Sequence, residues 1–478
     1  MRRAYVAALA VVTACAPAAP TSTVRGLVLP STFDGSAAGA SIGALDWRAF
    51  FDDAHLNALI AEALANNLDL QGALQRIEVA RAGLVSAGAA RLPRLELAAS
   101  AAIRRYGLYT MDGAGNASTD IRPGQRVPEH LPDLFLGVQA SWEADLWGRL
   151  KGLHGAARAR YLATVEGTNL VVTNLVAEIA AGYFDLLALD YAGDILTETV
   201  ARQAEGVELV KIQKEAGRAT ELAVQQFEAQ LATTRAMHAA TKSQIRELEN
   251  QLNVLAGRLP QPIARDKARL RREVPGIVAA GVPSALLHAR SDIREAELAV
   301  QATKLDVGAA RAAFYPQLRI SAHLGYQAFD PRFLLSTPAS VAYGLVGGLV
   351  APVVNRRSLA ATFRAAHATQ LEAMYRYQSV VLRAFTEVAT GLYVLEQARE
   401  IVGHQIRKQA AIAGSRDAAG ALFDAGKATY LDVLFAQQST LDAELELIRA
   451  LRDQHVAHLR LYRALGGGWR GTLTVAAD

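Results

Sequence analysis

Two stretches of this chain repeat each other, in the same order, across most of its 478 residues. Asp69-Leu70 through Leu95-Glu96-Leu97 aligns with Asp292-Ile293 through Leu318-Arg319-Ile320, and Pro93 falls on Pro316. Glu178-Ile179-Ala180-Ala181-Gly182 aligns with Glu387-Val388-Ala389-Thr390-Gly391, and Ala216-Gly217-Arg218-Ala219-Thr220 with Ala425-Gly426-Lys427-Ala428-Thr429. Leu255-Ala256-Gly257 then meets Leu465-Gly466-Gly467. A period of about 210 residues is too long for a solenoid unit, so the pattern calls for two similar halves within one structure. The spacing between counterparts shrinks after Pro93, which places an extra loop in the first half.

Each half reads as helix, strand, strand, very long helix and returning helix. The first helix covers about 53–90 and 284–313, stopping before its proline. Strands are expected at about 93–107, 133–147, 316–328 and 341–354. The long helices follow at about 150–215 and 358–424. Repeat 1 thus spans 53–257 and repeat 2 spans 284–467, with a linker at 258–283 and a tail at 468–478.

The strands alternate. Leu318, Ile320, Ala322, Leu324 and Tyr326 share one face, as do Leu134, Leu136, Val138, Ala140 and Trp142, with polar residues opposite. A soluble sandwich shows this pattern too; in a barrel through lipid the apolar face meets acyl chains. Four short strands cannot close a barrel, and open edges in lipid would leave backbone groups unsatisfied. Membrane strands therefore require oligomerisation: a dimer gives eight strands and a trimer twelve. A helix of about 65 residues is roughly 100 Å long, far beyond any bilayer, and must project away from it. In the returning helices Leu431, Leu434, Gln438, Leu441, Leu445, Ile448, Arg452, His455, Leu459 and Tyr462 step by 3 and 4. That is knobs-into-holes spacing, with more polar members than a dry core takes.

Composition agrees with long helices: aromatics are 6% and helix formers dominate. The 50 basic and 46 acidic residues are interspersed, leaving +4 and no basic block, so nucleic acid is not the expected partner. No segment reaches 18 uninterrupted apolar residues. The single cysteine, Cys15, follows a basic start and an apolar run, so residues 1–14 read as a signal peptide and Val12-Thr13-Ala14-Cys15 as a lipobox. On that reading Cys15 is acylated and anchors residues 15–52, and Ala16 after it directs the protein to the outer membrane. An ordinary signal peptide ending near a cysteine is the alternative.

Trp142-Glu143-Ala144-Asp145-Leu146-Trp147-Gly148-Arg149 resembles the strand-to-helix motif of TolC/OprM/NodT-like outer-membrane efflux lipoproteins. Trp47, Phe51, Asp53, Leu56 and Asn66-Asn67 are similar to that family's opening segment. Leu461-Tyr462-Arg463-Ala464-Leu465-Gly466-Gly467-Gly468-Trp469 looks like its C-terminal signature. The resemblance implies a mainly α protein with a membrane β-barrel: a homotrimer whose twelve strands form one barrel on a periplasmic α-helical barrel. It also implies an equatorial belt of terminal and linker segments, a periplasmic adaptor, an inner-membrane pump of the resistance–nodulation–division type, passive conduction, and no cofactor.

By the same resemblance the turns Gly217, Arg218, Thr220 and Gly426, Lys427, Thr429 meet the adaptor. The bland reading, a turn joining two helices, explains Gly and Thr but not the cation repeated at both tips. Arg416, Asp417, Leu422 and Asp424 are the expected periplasmic gate, where three copies would form charged rings; ordinary exposed charges are the alternative. The family often has an Asp where this chain has Gly420 or its neighbours, and Val354-Asn355-Arg356-Arg357 departs from its usual Gly-containing turn. No phosphate loop, metal-ligand cluster or nucleophile–base spacing points to an enzyme. A type I-like secretion duct and a periplasmic coiled-coil scaffold without a barrel remain as alternatives.

Overall fold

In the computed structural model both halves of the sequence build the same succession of elements, over the described residues 26–34, 39–275, 278–351 and 356–470. The order is α1 (Trp47–Phe51), α2 (Ala54–Asn66), α3 (Leu68–Ala89), β1 (Arg94–Arg104), α4 (Met111–Ser118), β2 (Asp120–Arg122), β3 (Gln125–Arg126) and β4 (Leu131–Ala144). Then come α5 (Arg149–Glu215), α6 (Glu221–Leu255), α7 (Leu286–Ala289), α8 (Ser291–Ala312), β5 (Gln317–Ala328), β6 (Val341–Val350), α9 (Arg356–Asp424) and α10 (Tyr430–Ala464). The extra loop of the first half holds α4 and the small β2–β3 ribbon. The chain forms two compact units, one of residues 79–161 and 298–374, the other of 25–78, 162–297 and 375–478.

The first unit carries a four-stranded antiparallel sheet in the order β1-β4-β5-β6. Its register brings Leu97, Val138, Leu324 and Tyr343 into one row, with Leu136 opposite Tyr326 and Trp142 opposite Ile320. The alternation seen in each strand therefore adds up to one continuous apolar face. That face is bare: Leu97 is 90% exposed, Tyr343 81% and Leu345 75%. The opposite face aligns Glu96, Gln139 and His323 and, one row on, Arg94, Ser141 and Ser321. Strands of 10 to 14 residues suffice to cross a bilayer at a tilt. Among the described residues β1 and β6 are edges without a strand partner, a state that lipid does not tolerate.

In the second unit the expected single helices over 53–90 and 284–313 are each broken, at Asn67 and at Arg290, which occupy matching places in the repeat. A polar side chain at each break meets the end of a returning helix. Asn67 Nδ2 donates to Leu255 O at 2.9 Å while its Oδ1 accepts from Leu70 N at 2.8 Å. Arg290 Nη1 donates to Ala464 O at 2.8 Å and to Glu387 Oε2 at 2.8 Å, and its other nitrogens clasp Asp292. Gly257 and Gly466, at φ +68° and +83°, end the returning helices; a Cβ there would lie 2.3 Å from Asn66 O and 2.5 Å from Ala289 O. The end of α6 thus abuts the start of α3, and the end of α10 abuts α8.

Two apolar clusters follow the repeat. One packs Trp47, Phe51, Leu56 and Ile60 against Val172 to Leu187 of α5; the other packs Phe33, Leu286 and Ile293 against Val381 to Leu395 of α9. The most apolar 18-residue stretch of α5, of mean hydropathy 1.5, is mostly buried, as a core helix is. The heptad seam of α10 is buried from Leu441 onward except at half-buried Arg452, and opens toward its start, where Leu431 is 48% exposed. His455, expected in a wet seam, is instead 5% exposed: its ring stacks on Phe184 at 4.5 Å and Nε2 lies 3.0 Å from Leu270 O.

Candidate functional site

The two turns that the sequence pairs have the same backbone. At the α5–α6 turn Gly217 N donates to Lys214 O and Arg218 N to Gln213 O; at the α9–α10 turn Gly426 N donates to Phe423 O and Lys427 N to Leu422 O. Both glycines sit at φ +71°, and a Cβ on either would meet nothing within 4 Å. The glycine is needed for its left-handed backbone, not for space. Thr220 Oγ1 then accepts from Ala223 N at 3.2 Å, and Thr429 Oγ1 from Asp432 N at 3.4 Å, starting the next helix. Gly426→Ala is expected to cost about 1 kcal/mol by forcing an L-residue into that conformation; faster amide exchange around 420–432, with the rest of the chain unchanged, is the observable.

The side chains around these turns differ. Lys211–Glu228 at 3.0 Å and Lys214–Glu221 clasp the first hairpin, whereas the second relies on a capping box, Thr429 N donating to Asp432 Oδ2 at 2.8 Å. Tyr430 and Leu434 pack on the Val207, Val224 and Phe227 cluster, so the structure brings the two tips side by side. Arg218 and Lys427 are exposed and have no side-chain partner among the described residues.

Of the expected gate residues, Arg416 and Asp417 pair with each other at 2.8 Å along the exposed surface of α9. Leu422 is 45% exposed on the same helix. Asp424 closes α9, and its side chain lies outside the described atoms. Cys15, residues 1–14 and Val354-Asn355 lie outside the described residues, as do 471–478 of the expected tail.

The Trp142–Arg149 motif is a joint. Trp142 Nε1 donates to Arg91 O at 3.0 Å and Trp147 Nε1 to Pro316 O at 2.7 Å, so the two indoles hold the proline turns of both repeats. Trp147 also stacks on Tyr315 at 4.9 Å. Asp145 caps α5 through Leu150 N at 3.1 Å and Lys151 N at 2.7 Å, and Arg149 grips Glu143 at 2.7 and 2.8 Å. Gly148 makes the turn at φ +74°. These groups orient strand and helix.

One cluster escaped the sequence reading. Within the linker, Arg265 binds Asp190 through two nitrogens at 2.5 and 2.8 Å and Glu249 at 2.7 Å. Hydrogen bonding to Asp190 first, against the cost of burial, and then Glu249 hold its guanidinium above the usual range. Lys267 pairs with Asp194, and Arg271 lies 4.9 Å from the Tyr191 ring centroid. Three cations of one strap thus grip about one turn of α5. Spacing could not reveal it, because the partners on α5 lie some 75 residues away. Among the described residues no group of three His, Cys, Asp or Glu is placed to hold a metal ion.

Residues 59–258 and 282–467 match the family described as outer membrane efflux protein. The cation efflux system protein CusC of Escherichia coli O6:H1 is 30% identical over 429 residues, which cover 89% of this chain and 88% of CusC. The solvent efflux pump outer membrane protein SrpC of Pseudomonas putida is 31% identical, over 88% of this chain and 87% of its own. A crystal structure of a membrane protein from Pseudomonas aeruginosa superposes with a TM-score of 0.83 at 26% identity, covering 95% of this chain and all of that one. The two matched segments coincide with the two halves of the repeat, and the chain belongs to the outer membrane efflux protein family.

Proposed function

We propose that this outer-membrane efflux channel works as a homotrimer that passively conducts cargo delivered by an inner-membrane pump of the resistance–nodulation–division type through a periplasmic adaptor. The bare apolar face of the β1-β4-β5-β6 sheet, with both edges unpaired, carries this reading. Three copies supply twelve strands, satisfy every edge and turn the apolar face to lipid. The polar rows through Glu96, Gln139 and His323 then line water. Helices of 67 and 69 residues are roughly 100 Å long, the span a periplasmic duct needs. No step of this function asks the chain for chemistry.

In this reading acylated Cys15 anchors the mature chain, the paired tips dock the adaptor through Arg218 and Lys427, and Arg416, Asp417, Leu422 and Asp424 line the periplasmic gate. A non-channel scaffold would have no use for an exposed apolar sheet. The experiment is purification in detergent, mass determination and reconstitution into planar bilayers: a trimer that conducts ions is expected. A monomer in the soluble periplasmic fraction overturns the proposal. Lys427→Glu is expected to weaken co-purification of the adaptor severalfold while conductance persists; unchanged recovery removes the second tip from the docking surface.

A further inference from the structure

A groove of about 860 Å³ runs between α5, α9 and α10 in the second unit. Its size is that of a small-molecule site. Apolar side chains form its bed: Leu382 and Val394 stand half-exposed on α9, with buried Leu459 below. Three guanidinium groups border it, Arg383, Arg460 and Arg463, all on exposed residues. Among the described residues none of them has a carboxylate partner or a side-chain hydrogen bond.

Two carboxylates share the groove. Glu387 accepts from Arg290 at 2.8 Å, a guanidinium that it shares with Asp292. With Glu178 it sets two carboxylates, one of them already paired, against three arginines, so the groove is net positive. Arginines beside exposed aliphatic surface and short of counter-charge form a site for an oxyanion attached to an apolar body.

The groove's direction follows from α10. His455, His458 and Tyr462 face the Phe50, Phe184 and Leu270 side of the unit. At 3.6 residues per turn Arg460 lies about 140–200° round the helix from all three. If the segments around Phe50 and Leu270 are the outer belt of the tube, the groove opens on the lumen.

We propose that this groove is a cargo-binding site selective for amphiphilic anions, an apolar body lying along Leu382, Val394 and Leu459 with its carboxylate, sulfonate or phosphate held by Arg383, Arg460 and Arg463. The lumenal placement rests on the proposed channel; the chemistry of the groove does not, so binding is measured without conduction. The full-length protein in zwitterionic nanodiscs is dialysed against naphthalenesulfonate, naphthylmethylammonium and naphthalenemethanol, with empty nanodiscs subtracted. The sulfonate is expected to bind at least about tenfold tighter than the other two, and the Arg383→Gln/Arg460→Gln/Arg463→Gln variant to lose at least about tenfold in its affinity, about 1.4 kcal/mol. The ammonium probe binding as tightly as the sulfonate overturns the proposal in the wild-type protein alone, whatever the variant's folding. So does unchanged sulfonate affinity in the triple variant, or in Arg460→Gln if the triple variant does not fold. Loss of trimer in the variant without sulfonate binding to the wild type would assign the groove to a second copy of the chain, and displacement of the probe by phosphatidylglycerol in the nanodisc would assign it to lipid. Either result overturns the cargo assignment. Sulfonate binding by a protein that forms no pore would refute the channel and leave the groove standing.

Discussion

Arg265→Ala is expected to destabilise the helical unit by about 3 kcal/mol, because it strands Asp190 and leaves Glu249 only Arg246, at 3.3 Å, in a largely buried site. Glu249 is 8% exposed and Asp190 14%, and Arg265 answers both. The strap also loses its main hold on α5, since Lys267 and Arg271 grip it from more exposed positions. The thermal midpoint of helix signal at 222 nm should fall sharply in Arg265→Ala and fall less in Arg265→Ala/Asp190→Asn/Glu249→Gln, where the carboxylates are neutralised. Equal losses in both variants would show that the charges are not the cause. An Arg265→Ala midpoint matching wild type would mean that water reaches the cluster.

The second large effect is a dependence on acid. Burial first lowers both His455 and His458 to about 4, with neighbouring charge from Arg269 adding to it and, for His458, His455 as well. An ordinary imidazole titrates near 6.5. Between these values the unfolded chain binds protons that the folded chain refuses, so stability rises with pH through this window. The contribution is complete above about pH 6.5 and is lost as pH falls toward 4, on the order of 3 kcal/mol for each ring. Unfolding midpoints taken at pH 7, 5.5 and 4.5 should decline steeply in wild type and more gently in His455→Gln/His458→Gln. Parallel declines in the two proteins would move the acid sensitivity to the carboxylates.

Period was what made the architecture readable. A strand alternates with period two and a helix with 3.6, so Leu318 to Tyr326 and the α10 seam declared their faces without any partner in view. The register then added what a single strand cannot hold, that these faces coincide across four strands. The helix breaks were illegible because Asn67 and Arg290 are ordinary helix residues until the carbonyls of Leu255 and Ala464 arrive. The Arg265 cluster and the arginine-rimmed groove stayed hidden for the same reason, each being made by residues far apart in sequence. Of the candidate sites, the tips were legible to the hydrogen bond, since a glycine at a positive φ followed by a capping threonine is a local matter. The Trp142–Arg149 motif was visible but not its work: only the fold places its two indoles on the proline turns of both repeats. The residues proposed for the gate, Arg416, Asp417 and Leu422, stand on the exposed surface of α9, where periodicity assigns no role.

The breaks at Asn67 and Arg290 bear on how such a molecule handles mechanical load. A continuous helix passes on both thrust and torque, because its covalent backbone resists twisting. Where α6 ends against α3 and α10 against α8, no backbone runs on: a glycine meets a carbonyl, a few side-chain hydrogen bonds cross, and Leu252 and Ala256 share an apolar cluster with Leu70 as Leu461 and Leu465 do with Ile293. Such a joint can shift by repacking side chains, without breaking a helical ladder. Twist applied to α6 or α10 at the tips therefore meets an end in the backbone, whereas α5 and α9 run unbroken from end to end.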